Sequence, residues 1–157
     1  GKLQQLTIAD SRLVRLARRC QDLPGQHLFQ YVDEAGEAHP VGSADVNAYL
    51  RETMGEAFSA KHFRTWGASV IAFQTLIEAG GKLPLKALVA PVCEALGNTP
   101  AIARKSYIHP ALIDATQGDG LPEDLKLPRR TKYLSSHERG LIEFLDTAAS
   151  LERAEAA

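Results

Sequence analysis

Leu96-Gly97-Asn98-Thr99-Pro100-Ala101-Ile102-Ala103-Arg104-Lys105-Ser106-Tyr107-Ile108-His109-Pro110 is the stretch on which the reading of this chain turns. Leu-Gly closes one helix, Thr99 offers a capping hydroxyl with Pro100 at the first helical position, and Pro110 biases His109 away from helical backbone. A helix running unbroken from Asn98 to Tyr107 would set the two side chains on opposite faces, about 900° of turn and about 13 Å of rise apart. For both to reach one ligand, the helix must end before Tyr107. The stretch therefore predicts short helices separated by tight turns, with a phenol at one of the breaks.

Working back toward the N-terminus, Pro84 starts a helix carrying Leu85, Leu88, Val89 and Val92 to Leu96, which Pro91 should kink or divide. Before it, Ser59 opens a longer helix in which Phe63, Trp66, Val70, Phe73 and Ile77 recur at helical spacing until Gly80-Gly81, the expected centre of the core. Ser43 is expected to cap a short helix through Met54. Leu28–Val32 and Ala38–Val41, joined by Asp33-Glu34-Ala35-Gly36-Glu37, suggest a hairpin. Asp10 caps a helix whose Leu13, Leu16, Ala17 and Cys20 share one face, with arginines on the other, until Leu23-Pro24-Gly25 stops it. Gly1–Ile8 alternates like a short strand fragment. Toward the C-terminus, residues 117–134 are rich in Gly, Pro and charge and read as an exposed connection. Ser135 or Ser136 then caps a last amphipathic helix with Leu141, Ile142, Phe144, Leu145, Ala148 and Leu151. The fold class is mainly α: a compact helical domain spanning residues 1–157, with a minor N-terminal β-hairpin or strand fragment.

A chain of 157 residues with 45% hydrophobic residues can bury a core of its own. It contains no apolar run near the ~20 residues of a bilayer span and no secretory leader pattern. The expectation is a cytoplasmic, monomeric protein without membrane contact. Cys20 and Cys93 are too few for a disulfide framework and read as small core residues. No CxxC, HExxH, Gly-rich phosphate loop or internal repeat is present, so neither a cofactor nor a metal is expected. The net charge of −1 hides an asymmetry: residues 1–132 hold 16 Lys and Arg against 14 Asp and Glu, and residues 133–157 hold 2 against 5. A nucleic-acid surface would therefore use the basic clusters Arg12, Arg15, Arg18 and Arg19, Arg104 with Lys105, or Arg129, Arg130 and Lys132, not the last helix.

Tyr107 is the candidate nucleophile. With an ordinary pKa near 10, only about 0.1% of a free phenol is ionised at neutral pH, so it needs cationic neighbours. Arg104 and Lys105 are close in sequence. Arg64 can arrive from the long helix, where Gly67 and Ala68 leave room for a ligand, and its planar fork suits two phosphate oxygens. Taken singly, a Tyr beside two basic residues is ordinarily a surface residue and Asn98 a turn residue; the arginines at 12–19 fit a solvated helix face as well as a DNA backbone contact.

Several runs together are more specific: Arg18-Arg19-Cys20-Gln21-Asp22-Leu23-Pro24-Gly25-Gln26, Asp45-Val46-Asn47-Ala48-Tyr49-Leu50-Arg51, Lys61-His62-Phe63-Arg64-Thr65-Trp66 and Leu96–Pro110. In this order they resemble the C-terminal catalytic domain of bacterial type IB DNA topoisomerases, the branch similar to the poxvirus enzymes, over most of residues 1–116. The resemblance implies the helical fold of DNA breaking-rejoining enzymes and duplex DNA as partner. It also implies a Tyr107 attack that leaves a 3′-phosphotyrosyl link and a 5′-hydroxyl, resealed without ATP or metal. Arg64 and Asn98 would hold the phosphate oxygens, with Arg104, Lys105, Arg12, Arg15 and Arg19 on the DNA backbone. Asn98 stands where poxvirus-like relatives often have His, and His62 where relatives usually have Asp. The family's second arginine and its lysine general acid lie upstream, the lysine on a Gly-Lys-Ser-Gly hairpin whose last Gly matches Gly1. The N-terminal region of the same polypeptide is thus an expected partner, and this piece alone is expected to be inactive or weakly active. Lys2 as a substitute acid is less in keeping with the pattern than a solvated strand-end lysine.

A tyrosine recombinase shares the spacing of Asn98, Tyr107 and His109, but its His-x-x-Arg box is missing, since His62 and Arg64 are two apart. A non-catalytic DNA-binding module is the other alternative. For His109 a local structural role is favoured over catalysis.

Overall fold

The computed structural model describes residues 7, 9–22, 27–122 and 124–155, in two compact units that divide after Ala60. Among the described residues there are seven helices and one two-stranded sheet, in agreement with the mainly helical reading. No described helix is long and apolar enough to cross a membrane.

The first unit holds α1 (Ser11–Gln21), β1 (Gln30–Val32), β2 (Ala38–Pro40) and α2 (Ser43–Met54). Asp10 caps α1 as expected: its Oδ1 accepts the N–H groups of Arg12 (2.8 Å) and Leu13 (3.3 Å). The apolar face of α1 exists but is uncovered among the described residues, with Leu13 and Leu16 about half exposed. β1 and β2 pair antiparallel with Tyr31 opposite His39. Asp33 shapes the turn: its Oδ1 accepts from Ala35 N–H and Glu37 N–H, while His39 Nε2 lies 2.7 Å from its Oδ2. The cap of α2 differs from the expectation. Ser43 is the first helical residue, and Asp45 reaches back so that its Oδ2 accepts the Gly42 N–H at 2.8 Å. A carboxylate there also meets the positive end of the helix, which a serine hydroxyl would not. The strand read at Gly1–Ile8, apart from Thr7, and the stop at Leu23-Pro24-Gly25 lie outside the described residues.

The second unit is built on α3 (Ala60–Glu78), α4 (Leu85–Leu96), α5 (Pro100–Ser106), α6 (Pro110–Gln117) and α7 (Ser136–Glu155). Its core joins Ala68, Ala72, Phe73 and Leu76 of α3 to Leu88, Val89 and Val92 of α4, Leu112 and Ile113 of α6, and Leu141 of α7. Each fully buried Leu or Phe contributes about 1.5–3 kcal/mol. The buried stripe of α3 is shifted from the one expected. Phe73 is at its centre, but Phe63 is half exposed, and the small Ala68 and Ala72 are buried completely. Large apolar residues dominate a sequence pattern, whereas small ones decide where helices approach closely. Pro91 is accommodated without ending α4, because the fully buried Leu88 and Val92 hold the helix on both sides of it.

The described residues of 118–135 carry no helix or strand, yet they are not exposed throughout. Leu121 is buried, and Leu125 and Leu127 pack on the core. Leu121 N–H donates to Gly81 O at 2.8 Å, docking the connection against the end of α3. In α7 the close approach falls at Gly140, where a Cβ would stand 2.7 Å from Leu127 and 3.1 Å from the Phe73 ring. Ser135 and Glu138 form a reciprocal cap on α7: Ser135 N–H donates to Glu138 Oε2 (2.7 Å) and Glu138 N–H to Ser135 Oγ (3.2 Å).

Candidate active site

The site is assembled where α4, α5 and α6 meet the N-terminal half of α3. α4 ends at Gly97, whose φ of 67° suits a residue without Cβ and lets its N–H reach Cys93 O. Asn98 follows, and Thr99 Oγ1 accepts from Ile102 N–H at 3.4 Å to start α5. α5 then stops at Ser106. Tyr107 is its C-cap, with φ −129° and ψ −37°, so the helix does break before the phenol, as the spacing of Asn98 and Tyr107 required.

The backbone at the break is tightly held. The N–H groups of Tyr107 and Ile108 both donate to Ala103 O, at 3.1 and 3.0 Å. Ile108 is buried and pins the turn to the core. His109 has extended backbone, as a residue before proline should, and its Nδ1 accepts the Ala111 N–H at 3.3 Å, which caps α6. That is the local structural role expected for His109.

A contributor that the sequence reading passed over is Ser69 of α3. It is 3% exposed; its Oγ accepts the His109 N–H at 3.0 Å and donates to Tyr107 O at 3.4 Å. One hydroxyl thus touches the main chain on both sides of Ile108. The available signal was a lone polar residue on the buried stripe of α3, since such a group must find partners.

Arg64 comes from the second turn of α3. Its Nη2 donates to Leu96 O at 3.1 Å, and its guanidinium carbon lies 5.3 Å from the centroid of the Tyr107 ring. The carbonyl at the end of α4 fixes one edge of the fork and leaves further N–H groups for an anion. Two of the three candidate catalytic residues, Arg64 and Tyr107, are therefore in contact, and the third is two residues past the carbonyl that Arg64 binds. Among the described residues, Asn98 Nδ2 is a buried side-chain donor with no hydrogen-bond partner. Such a group costs about 1–3 kcal/mol unless an acceptor arrives.

Arg104 and Lys105 are exposed on the last turn of α5, adjoining Tyr107. Arg12, Arg15 and Arg19 belong to the first unit, exposed along α1, with Arg12 Nη2 paired to Asp10 at 3.1 Å. His62 is exposed on the first turn of α3. Cys20 and Cys93 are half-buried free thiols, Cys93 against the core and Cys20 on α1, which has no buried residue.

A helical domain that stacks a guanidinium on a tyrosine held at a helix break, beside an unspent amide donor, has the parts of a site for an anionic ester. Residues 3–107 match the model of the eukaryotic DNA topoisomerase I catalytic core, and the chain belongs to that family. Tyr107 is the last residue of the match. The chain is also similar to the DNA topoisomerase 1B of Acanthamoeba polyphaga mimivirus, at 31% identity over 122 residues, covering 69% of this chain. It spans 36% of the length of that relative.

Proposed function

We propose that this chain is the tyrosine-bearing part of a type IB topoisomerase of the poxvirus-like branch, which cuts and reseals one strand of duplex DNA. Tyr107 Oη attacks a backbone phosphorus; the bond to the 5′ oxygen breaks, and the 3′ end is left esterified to the phenol. The phenolic proton is lost on attack and regained on resealing. Arg64 neutralises charge growing on a non-bridging oxygen, and Asn98 Nδ2 donates to the same phosphate. Removing one such preorganised donor costs about 10² to 10³ in rate. The protonation of the 5′ leaving oxygen and a second guanidinium come from polypeptide outside these 157 residues, a proposal for which the relative, nearly three times longer than the matched portion, leaves room. The Lys61–Trp66 run supports the poxvirus-like branch, while Asn98 departs from the His often found there and supplies an uncharged donor instead. The family match supports strand rotation and resealing over recombination.

The observation that carries this reading is the Arg64 guanidinium, bound to Leu96 O on one side and lying over the Tyr107 ring on the other. The test is covalent capture by the full polypeptide. A duplex labelled at the 5′ end of the cleaved strand should transfer its label to the protein in detergent, and Tyr107→Phe should abolish the transfer. Label transfer that survives the substitution removes Tyr107 as nucleophile. Residues 1–157 alone should barely relax a supercoiled plasmid, while the full polypeptide relaxes it without ATP or magnesium; vigorous relaxation by the shorter chain would refute the need for outside residues.

A further inference from the structure

The segment that joins the core to α7 carries a feature outside the family match and outside the tyrosine site. Residues 125–137 hold Lys126, Arg129, Arg130 and Lys132 and no Asp or Glu, in a chain whose net charge is −1. Residues 129–133 are all exposed, Tyr133 at 82%. This is an ordered turn. Thr131 N–H donates to Leu134 O at 2.8 Å, and Thr131 Oγ1 accepts the N–H groups of Tyr133 (3.4 Å) and Leu134 (3.0 Å). Upstream, Arg139 Nη1 donates to Arg129 O at 2.6 Å and pins the start of the turn to α7. Lys132 Nζ lies 5.1 Å above the Tyr133 ring.

A fixed backbone thus presents three cations and a phenol to solvent, with a depression of about 490 Å³ along residues 130–137. The apolar body of Tyr133 gains nothing from water, and its hydroxyl can donate to an anionic oxygen, as tyrosines do at DNA phosphates. The turn is also tied to the functional end of α3. Glu138, whose Oε2 accepts the Ser135 N–H, takes the Trp66 indole N–H on its Oε1 at 3.3 Å, and Trp66 is two residues from Arg64. Trp66 and Arg64 leave α3 about 200° apart, so the turn flanks the tyrosine site and does not join it.

Resting on the function proposed above, we infer that the turn at residues 129–133 is a second contact with the sugar–phosphate backbone of the duplex, away from the phosphate that Tyr107 attacks. It reads charge and not sequence, and it lengthens the dwell of the duplex on the protein. Such contacts release counterions, and each phosphate neutralised adds about 0.9 to the slope of log affinity against log salt.

The test is equilibrium binding of a blunt duplex oligonucleotide by the full polypeptide across a salt series. Arg129→Gln, Arg130→Gln and Lys132→Gln together should lower the slope by about 2 to 3. Tyr133→Ala should weaken binding at every salt concentration with little change in slope. A matched control, Lys82→Gln with Lys86→Gln and Arg153→Gln, removes the same net charge elsewhere in the chain. An unchanged slope in the turn variant, or an equal loss in the control, overturns the inference. Wild-type label transfer on the same duplex reports separately on strand cleavage: if it is absent the function proposed above fails, and if it is present with an unchanged slope only the turn is misassigned.

Discussion

Replacing Ser69 by alanine should slow strand attack, because this hydroxyl holds the main chain that carries Tyr107, the proposed nucleophile. Its Oγ is 3.0 Å from the His109 nitrogen and 3.4 Å from the Tyr107 carbonyl oxygen, in a site 3% exposed to solvent. The first contact has good geometry and the second is at the outer limit, so most of the loss comes from His109. An N–H left buried without an acceptor costs about 1–3 kcal/mol. In a chain of this size that lowers the melting temperature by roughly 2–4 °C per kcal/mol. If the turn relaxes to recover the bond, Tyr107 moves with it, and the same free energy appears as about 5- to 150-fold slower attack. The assay is single-turnover label transfer at saturating duplex, with thermal melting alongside. Ser69→Thr keeps the Oγ and should recover most of the rate. Alanine and wild-type rates that coincide while the melting temperature falls would reduce Ser69 to a packing residue; equal slowing by threonine and alanine would show that the hydroxyl is not the cause.

Gly140→Ala gains about 1 kcal/mol of helix propensity but forces a Cβ to 2.7 Å from Leu127 and 3.1 Å from the fully buried Phe73 ring. Leu127 can rotate away and Phe73 cannot, so overpacking of about 1–3 kcal/mol prevails and the melting temperature should fall by a few degrees; a rise would show that α7 has slack. Glu138 offers a pH test. The Ser135 backbone N–H, the Ser135 hydroxyl and the Trp66 indole hold its carboxyl below the usual range. A depressed folded pKa gives stability that is complete above the ordinary glutamate value and is lost as pH falls through the folded one. Melting temperature should therefore decline on acidification below about pH 4, and Glu138→Gln should flatten that decline; an unchanged acid limb in the variant would remove Glu138 as a contributor.

What the sequence disclosed and what it withheld follow from the range of the forces involved. Caps are local, so Asp10, Thr99 and Ser135 could be read with their helices, and the break before Tyr107 followed from helix geometry and Pro110. The hairpin was legible because Asp33 and Gly36 shape its turn within seven residues. The stripe of α3 was misplaced by its aromatics, since close packing at Ala68 and Ala72 is decided by partners far along the chain. The connection after Gln117 has no period, so nothing in its own sequence says that Leu121 docks at Gly81. Ser69 was missed for the same reason: its value lies in two main-chain groups 38 and 40 residues away.

That division also explains how the site can be both rigid and unsatisfied. Ser69, Ala103, Ile108 and His109 spend their bonds on the backbone around Tyr107, which fixes where the phenol starts. Asn98 keeps a buried donor unspent, and Arg64 spends one bond on Leu96 O while the rest of its fork is available. A site whose donors were all paired internally would have to break those bonds when a phosphate arrived, and the cost would be charged to the reaction. Here the cost of holding Asn98 unpaired, about 1–3 kcal/mol, is met in advance by the packing of α3, α4 and α6. On the function proposed above, a phosphate that reaches Asn98 Nδ2 gains a donor with no internal hydrogen bond to break. On that proposal the supporting residues, which touch no substrate atom, matter to the chemistry, because a fixed main chain at residues 107–109 gives the donor at 98 a defined target.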